Sequence, residues 1–465
     1  MRFSSKSLMH AVARCAVAAT LLQSLTIEPL AAQIQSKVLA TVGSAAPAGG
    51  NYQAFTSVSM NGSGQLTFNA GLSGTSSAGI FLMDRSTTSA VALAGPAASG
   101  AFNFLSLGAP AITANGDVLF TSNAGLFRSR GESLIPVAQN GEALPGVGRL
   151  TPELLSVGSG DRVAFSAAVN DGLSASGIFR TGGGVFETIV RDQTTAPTGG
   201  TFDSFNGFVI NQRGQVAFEA VMVGGSVGFG VFRTDGEETT AVFASNQIAP
   251  GGGLFSDFSD PVINARGEIA VVGAPLQNTT SNFGVFLNDG RQSKAIALDG
   301  HPAPNGGNYN LGTFAPLVLN DQSQLLFNVG LTGGAARSGI FRSKGDDVET
   351  IALQGSPAPG TTGTFASFQN MKMLNDGRFV FVAQLTVGGG GVGFANNVGI
   401  WVGTSREDLQ LLARSGDTVD GIPVCVPPRP DQFDFNEGSV AWISQCPRRS
   451  GTALILSTFD TSNRE

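Results

Sequence analysis

Histidine is nearly absent from this 465-residue sequence, and cysteine, tryptophan and tyrosine are scarce. The chain has two His, three Cys, two Trp and two Tyr, and 13% of its residues are charged. Zinc and copper centres built from several imidazoles are therefore excluded. Because His10 falls in the N-terminal segment discussed below, His301 is the one histidine that could act as the base of a Ser–His–Asp triad.

Basic residues are few and do not cluster. The chain has 27 Lys and Arg against 34 Asp and Glu, which gives a net charge of −7. Nucleic acids and anionic lipids attract basic patches, so we expect no nucleic-acid partner. No apolar run reaches the 18 residues of a bilayer-spanning helix, so we also expect no membrane span in the mature chain.

The N-terminus has the composition of an export signal. Arg2, Lys6 and Arg14 precede a short apolar run, and small residues come just before Gln33. This order predicts a signal peptide over residues 1–32 and an exported protein, either extracellular or periplasmic. A buried N-terminal helix is the alternative.

Two cysteines, Cys425 and Cys446, remain after the signal. An even pair in an exported protein predicts a disulfide, and two buried thiols are the alternative. The mature segment, residues 33–465, is expected to form a single domain.

Glycine and phenylalanine, by contrast, are abundant. The chain has 64 Gly and 33 Phe, and 42% of its residues are hydrophobic. This composition favours short strands joined by tight turns over helices. The hydrophobic fraction is too high for a disordered chain, and the glycines lack the period of three found in collagen.

A Gly-aliphatic-aromatic triplet recurs along the chain every 46 to 60 residues. Its copies are Gly79-Ile-Phe81, Gly125-Leu-Phe127, Gly177-Ile-Phe179, Gly230-Val-Phe232, Gly284-Val-Phe286, Gly339-Ile-Phe341 and Gly399-Ile-Trp401. A degenerate last copy ends at Gly451–Leu456, so eight repeats can be counted. Repeats of this length indicate a fold built from repeated structural units. The number of domains therefore cannot be estimated from the chain length alone.

An Asn-x-x-Gly element lies upstream of most triplets. It occurs at Asn61–Gly64, Asn211–Gly214 and Asn264–Gly267, and Asn320 keeps the spacing with Ser323 in place of Gly. Two copies depart further, with Thr113 and Gly158 where Asn is expected. Asn and Gly tolerate positive φ, so the element predicts the turn of a hairpin.

Each repeat accordingly predicts four short antiparallel strands. An apolar stretch precedes the Asn-x-x-Gly turn, an alternating stretch follows it, and the triplet and a further strand complete the unit. Proline-rich links such as Pro302–Asn305 follow the fourth strand and predict crossings between units. The sequence thus predicts an all-β fold, a β-propeller of eight four-stranded blades, with a β-solenoid as the alternative.

The phase of the repeat predicts how the ring closes. The mature chain starts with a strand of the fourth type, Val38–Val42, and the last repeat stops after its third strand, near Leu454–Ser457. The N-terminal strand should therefore pair with the last blade, and the Cys425–Cys446 bridge should lie within that blade.

Tandem Asn-x-x-Gly-x-x-Ala-Phe elements, as at Asn211–Phe218, resemble the bacterial exported proteins with the NxxGxxAF repeat, an uncharacterised propeller-like group. The resemblance covers nearly the whole mature chain and implies export but no known activity. Members often end in a sorting or anchoring segment. Here the end, Leu454–Glu465, is short and polar, which favours release.

Candidate binding residues are sparse. Asp203, Asp257 and Asp260 lie beside Phe residues in segments that we expect to be equivalent loops on one face of the ring. The alternative is that they cap turns while the Phe side chains pack between blades. His301, in a crossing loop, is a further candidate, and one exposed loop residue is the simpler interpretation.

No residue set predicts a cofactor, a metal site or catalytic residues. Fragments of calcium loops, such as Asn288–Gly290, are explained by turn preference. The leading hypothesis is a non-catalytic binding module, whose partner could be an extracellular polysaccharide or an envelope protein. A glycoside hydrolase or lyase that uses carboxylates on the loop face, and a structural surface component, are the alternatives.

Overall fold

The computed structural model describes residues 34–95, 102–158, 162–172, 174–182, 185–276, 283–304, 306–311, 316–426, 429–446 and 452–459. The chain divides into two compact units. The larger, Ser36–Thr458, contains the blades described below, and the smaller consists of Met1–Gln35 and Phe459–Glu465. The predicted signal peptide, residues 1–32, lies outside the described residues.

Eight antiparallel four-stranded sheets follow one another along the chain, as predicted for an eight-bladed β-propeller. The first strand of the chain is β1 (Ile34–Thr41). Blade 1 consists of β2 (Tyr52–Met60), β3 (Leu66–Leu72), β4 (Ala78–Asp84) and β5 (Thr87–Ala94), and blade 2 of β6 (Ala111–Ile112), β7 (Val118–Ser122), β8 (Gly125–Arg130) and β9 (Ser133–Gln139). Blade 3 consists of a short β10 (Glu142–Leu144), β11 (Gly148–Val157), β12 (Val163–Asn170), β13 (Ser176–Gly182) and β14 (Val185–Arg191). Blade 4 consists of β15 (Thr201–Ile210), β16 (Val216–Val223), β17 (Phe229–Thr234) and β18 (Thr239–Ala244).

In blades 5 and 6 the first strand is split into two pieces that pair with the same neighbour. Blade 5 consists of β19 (Leu254–Phe258), β20 (Val262–Ile263), β21 (Ile269–Leu276), β22 (Gly284–Asn288) and β23 (Ser293–Leu298), and blade 6 of β24 (Asn308–Asn310), β25 (Leu317–Leu319), β26 (Leu325–Thr332), β27 (Ser338–Lys344) and β28 (Asp347–Leu353). Blade 7 consists of β29 (Phe365–Met373), β30 (Phe379–Leu385), β31 (Val398–Gly403) and β32 (Gln410–Arg414). Blade 8 consists of β35 (Phe433–Asn436), β36 (Ser439–Ser444) and β37 (Ala453–Phe459), with β1 as its fourth strand. A hairpin, β33 (Thr418–Val419) and β34 (Ile422–Pro423), and a 3₁₀ helix, Pro430–Gln432, precede β35. No helix in the described part of the chain has the length and apolarity needed to cross a bilayer.

The last blade is closed by the N-terminal strand, as the repeat phase predicts. β1 lies beside β37 at the edge of the sheet β1-β37-β36-β35. The hydroxyls of Ser36 and Ser457 are hydrogen-bonded at 2.7 Å, and the Val42 amide donates to the Thr452 carbonyl at 3.0 Å. Asp420 of the β33–β34 hairpin accepts the Val38 amide at 2.7 Å. The outer edge of the closing blade therefore comes from the other end of the chain.

A disulfide joins the segments on either side of the β35–β36 hairpin. Cys425 follows β34, Cys446 follows β36, and their sulfur atoms are bonded with the Cα atoms 5.2 Å apart. The bridge therefore belongs to the closing blade and ties its entry segment to the end of its second strand.

Aromatic side chains three residues apart fill the space between blades, which a regular strand would not allow. In β15, Phe202 pairs with Met222 and Phe205 with Ala220, because Asp203 is an extra, bulged residue. The bulge restores the alternation of faces, so both rings point inward with their centroids 5.8 Å apart. The same spacing and register shift recur at Tyr52 and Phe55, Phe255 and Phe258, and Phe365 and Phe368.

The Asn-x-x-Gly turns connect neighbouring blades. Asn320 accepts the Gln322 and Gln324 amides at 3.0 and 2.9 Å, which closes its own turn, and donates to the Leu374 carbonyl of the next blade at 3.0 Å. The equivalent bonds between blades run from Asn61 to Thr113, from Asn211 to Asn264 and from Asn264 to Asn320. The asparagine is therefore both a turn residue and a link in a ladder around the ring.

Candidate functional site

The first strands of the blades form the inner wall of the ring. β15 contacts β20, β20 contacts β25, β25 contacts β29 and β29 contacts β35, so first strands touch one another from blade to blade. In a propeller, this innermost layer surrounds the central channel. Side chains on the channel side of these strands therefore line the central channel.

A second bulge interrupts the first strand midway along several blades. In β15 the register shifts between Phe205 and Phe208, so Asn206 and Gly207 lie opposite Glu219 of β16. Register shifts at the same place occur in β2, β11 and β29. Because bulges redirect side chains, this position gives polar groups access to the inner wall.

Glu219 is a buried carboxylate with an incomplete set of partners. Its residue is 5% exposed, and Asn206 Nδ2 donates to Oε1 at 3.1 Å. No described residue donates to Oε2, and this oxygen is not fully buried, so solvent reaches it. Burying most of an ionised carboxylate is costly, so the fold disfavours the charged form of this group.

Two further acids face Glu219 from blade 5. Asp257 lies on β19 and Asp260 just after it, and both are exposed. Asp260 lies against blade 4, because a Cβ on Gly207 would overlap its carboxylate. With Glu219 these residues form a surface that we name the acidic wall: Glu219, Asp257 and Asp260. Asp203 is also exposed, at the start of β15, but it is not among the charges that act on Glu219.

The expectation that Asp203, Asp257 and Asp260 occupy equivalent loops is wrong. Asp203 and Asp257 belong to first strands, and Asp260 lies between the two pieces of a split first strand. They are not equivalent either, because Asp203 is the bulged residue of β15, whereas Ser256 is bulged in β19. The loop interpretation failed because these segments pair with the second strands of their blades through bulges, which depend on the partner strand.

The acidic wall lacks compensating positive charge. Within the described residues, none of its three carboxylates forms a salt bridge, and neither does Asp203. The basic side chains on the described first strands are engaged elsewhere: Lys372 pairs with Asp434 at 2.6 Å and Arg149 with Asp171 at 3.7 Å. The inner surface of blades 4 and 5 is therefore negative.

Burial raises the pKa of the Glu219 carboxyl above its ordinary value. The hydrogen bond from Asn206 lowers this pKa, and the negative charges of Asp257 and Asp260 raise it. The net result is a carboxyl that holds its proton more tightly in the folded chain than in the unfolded one.

We expect this raised pKa to appear as a pH dependence of stability. Between the ordinary value of 4.5 and the raised value the folded state binds more protons, so the free energy of unfolding falls as pH rises through that interval. Glu219→Gln removes this loss, so its melting temperature should exceed that of the wild type at about pH 8 and approach it near pH 4. Melting curves followed by circular dichroism across that range measure the difference.

Glu132→Gln is the matched control, because Glu132 is exposed in the β8–β9 turn. Its melting temperature should follow the wild type at every pH. If the melting temperatures of the wild type and Glu219→Gln changed with pH in parallel, burial of the Glu219 carboxylate would not destabilise the folded chain.

His301 lies apart from the acidic wall, in the crossing between blades 5 and 6. It is exposed, and its backbone forms the turn by donating to the Leu298 carbonyl at 3.0 Å and accepting the Tyr309 amide at 2.9 Å. Ser44 and Ser356 occupy the same position in other crossings, where their hydroxyls donate to the carbonyl three residues before, both at 2.7 Å. The His301 imidazole makes no hydrogen bond or ion pair within the described residues.

Among the residues that the structure describes, no three His, Cys, Asp or Glu side chains are placed to share a metal ion. The Asn288–Gly290 segment is a turn, in which Asn288 Oδ1 accepts the Gly290 amide at 2.8 Å and Asp289 Oδ1 accepts the Arg291 amide at 2.8 Å.

Sequence reasoning missed Glu219, although the repeat contains a signal for it. In most blades the residue after the buried aromatic of the second strand is neutral. Asn69 and Asn328 stand there and donate to carbonyls of the next blade, that of Leu107 before β6 at 3.0 Å and that of Phe368 in β29 at 3.1 Å. Glu219 is the acid at this position, and a carboxylate cannot donate such a bond. It therefore remains open towards blade 5.

Comparisons with known proteins give one family. The model of the Family of unknown function (DUF7453) matches residues 30–125 and 121–435. No curated protein matches the chain. The matching family model is that of DUF7453, and it does not show the NxxGxxAF repeat. The resemblance to the NxxGxxAF group therefore stays a prediction.

Several solved structures are similar over long stretches. One comes from a study of two prolyl endopeptidases, with 12% identity, 91% of this chain and 55% of that chain covered, and a TM-score of 0.48. A second is YCF48 from Cyanidioschyzon merolae, with 12% identity, 76% of this chain and 95% of that chain covered, and a TM-score of 0.36. A third is the gluconolactonase XC5397 from Xanthomonas campestris, with 13% identity, 64% of this chain and 82% of that chain covered, and a TM-score of 0.28. The chain thus spans little more than half of the endopeptidase. At TM-scores below 0.5 none of these likenesses bears on function.

Proposed function

The chain belongs to the DUF7453 family of unknown function, and from its inner surface we propose that it is a non-catalytic binding module whose acidic wall receives a cationic group of its ligand. The observation that carries the proposal is Glu219, largely buried beside Asp257 and Asp260, with an Oε2 that reaches solvent and accepts no bond from a described residue. A cationic group at this place would donate to that oxygen and relieve the repulsion among the three acids.

The position of the acids supports binding rather than scaffolding. Asn69 and Asn328, at the place of Glu219 in other blades, connect blades through direct hydrogen bonds, so a neutral amide already satisfies the fold there. Replacing that amide by a carboxylate weakens the contact between blades unless a ligand compensates. Exposed Asp257 and Asp260 extend the negative surface onto blade 5.

We place this module outside the cytoplasm, in line with the export signal that residues 1–32 resemble. Its ligand would then be a component of the cell surface or the surrounding medium that carries amino or guanidinium groups.

Matched charged and neutral probes test the proposal. Chitosan oligomers and oligolysine carry amines, whereas chitin oligomers and acetylated oligolysine have the same backbones without the charge. Isothermal titration calorimetry at low salt should detect binding of charged probes only, weakened by added salt. Glu219→Gln and Asp257→Asn should each lower the affinity about tenfold, as the loss of one close charge pair does.

Glu132→Gln should bind like the wild type, because its carboxylate lies in an outer turn. Equal affinity of charged and neutral probes, or wild-type binding by both wall variants, would refute the proposal.

One observation favours a second candidate. A carboxyl of raised pKa close to other carboxylates is also the arrangement of a general acid in a glycoside hydrolase. Incubating the same oligosaccharides with the protein distinguishes the two functions. Turnover that Glu219→Gln abolishes would establish an enzyme, and binding without turnover supports the module.

A further inference from the structure

A small apolar cleft opens beside the acidic wall, where blade 4 crosses to blade 5. It measures about 280 Å³ and is lined by Phe229, Ser245, Asn246, Leu254, Phe255 and Ser256, with Gly228. Phe229 is 39% and Leu254 38% exposed, and Ile248, which is 74% exposed, pairs with Leu254 across a β-bridge. These residues place large apolar side chains in contact with solvent at one point of the ring.

Hydrogen bonds fix the walls of this cleft. Ser245 Oγ accepts the Gly228 and Phe229 amides at 2.9 and 3.2 Å, and Asn246 Nδ2 donates to the Ser226 carbonyl at 2.8 Å. The Asn246 amide donates to the Phe255 carbonyl at 2.8 Å. The cleft is therefore formed before any partner arrives, which reduces the entropy lost on binding.

The strand β19 joins the cleft to the acidic wall. Leu254 pairs with Leu276 and Asp257 with Ala274, because the register shifts at Ser256. Partners two residues apart lie on the same face of a sheet, so Leu254 and Asp257 share the solvent face, about 7 Å apart along the strand. A partner that fills the cleft thus reaches the first acid within three residues of extended chain.

The volume and charge decide what kind of partner fits. Pockets for drug-sized ligands occupy roughly 300 to 1,000 Å³, so this cleft suits one anchoring side chain rather than a whole small molecule. Binding hot spots consist of such anchors, often aromatic, accompanied by arginine. The neighbouring carboxylates complement a basic residue.

Resting on the proposed function, we propose that the cationic ligand is an extended polypeptide segment of a partner protein. Its large apolar side chain enters the cleft at Leu254 and Phe229, and a Lys or Arg about three residues away reaches Asp257, Glu219 and Asp260.

A random 12-residue peptide library displayed on phage, selected on the full chain, tests this inference. Enriched peptides should carry a large apolar residue and a Lys or Arg two to four positions apart. Synthetic copies, followed by fluorescence polarisation, should lose about tenfold in affinity when the apolar residue becomes Ser or the basic residue becomes Gln.

Variants of the chain locate the contacts. Ile248→Ser/Leu254→Ser should weaken the peptides about tenfold and leave oligolysine binding within twofold, whereas Asp257→Asn should weaken both. Leu105→Ser is the matched control, since Leu105 is also 74% exposed but lies in blade 2, and it should change neither. Melting curves show whether each variant is folded. If the double variant is unfolded, Asp257→Asn, which preserves the shape of the side chain, still tests the contribution of the charge.

The outcomes separate the two proposals. If oligolysine binding depends on Glu219 but the selected peptides show no enriched apolar residue, the cleft proposal is overturned and the acidic wall proposal is kept. Wild-type binding of peptides by Asp257→Asn and Glu219→Gln would overturn both. Selective binding of chitosan over all peptides would show that the ligand is a glycan and overturn the polypeptide assignment.

Discussion

Removal of the N-terminal strand is expected to destroy the cooperative folding of the ring. A chain that starts at Ser44 lacks β1, so the edge of β37 loses its partner and stays open to other chains. Leu39, Ala40 and Val42 pack against the core cluster that contains Ile443 and Leu454. We expect a loss of at least about 3 kcal/mol in the free energy of unfolding, together with association, because core packing and strand pairing disappear at once.

Urea denaturation and sedimentation velocity measure both effects. A chain that starts at Gln33 keeps β1 and should behave as the full chain does. A synthetic peptide of residues 33–43, added in excess to the shortened chain, should restore the stability by strand complementation. If the shortened chain unfolds at the same urea concentration as its control, the closing strand does not stabilise the ring.

The fold could be predicted because its determinants are local. Asn and Gly at fixed spacing specify the hairpin turn between the first two strands, and the Gly-aliphatic-aromatic triplet marks the third. Counting the triplets gave the number of blades. The phase of the repeat then specified closure, since Val38–Val42 is a strand of the fourth type without three preceding strands.

The inner strands could not be predicted in the same way. A bulge is defined by the partner strand, where two residues oppose one, and the sequence of β15 alone does not show that Asp203 is the extra residue. The segment that holds Asp203, with Phe202 and Phe205 at a spacing of three, was therefore interpreted as a loop. The repetition of this spacing at Tyr52 and Phe55 was the available evidence for a strand with a regular bulge.

The acidic wall depends on contacts between blades, which no local pattern contains. Asp257 and Asp260 act on Glu219 from a different blade, 38 and 41 positions along the chain. Aligning the repeats would have shown an acid where the other blades have neutral residues: Asn, Thr or Ser in four of them, and Val or Ile in three. It would not have shown that the carboxylate is buried, because burial depends on the packing of blade 5 against blade 4.

The second large effect is expected at the ladder of asparagines. Asn320, which is 3% exposed, accepts two amides of its own turn and donates to Gln324 Oε1 and the Leu374 carbonyl at 2.9 and 3.0 Å. Asn320→Ala leaves buried donors and acceptors without partners, so it should lower the free energy of unfolding by about 2–4 kcal/mol. Urea denaturation measures the loss. Gln322→Ala in the same turn should change stability by less than about 0.5 kcal/mol, because Gln322 is exposed.

Asn320→Asp separates the turn from the link between blades. Aspartate keeps the oxygen that accepts the Gln322 and Gln324 amides but can donate neither to the Leu374 carbonyl nor to Gln324 Oε1. A loss close to that of alanine would assign the stability to these two donor bonds, of which the one to Leu374 joins the blades, and wild-type stability would assign it to the accepting oxygen alone and refute the ladder. If the bond between blades is decisive, the recurring asparagine exists to hold the ring together. The ligand chemistry must then come from positions where one blade departs from the others, as Glu219 does.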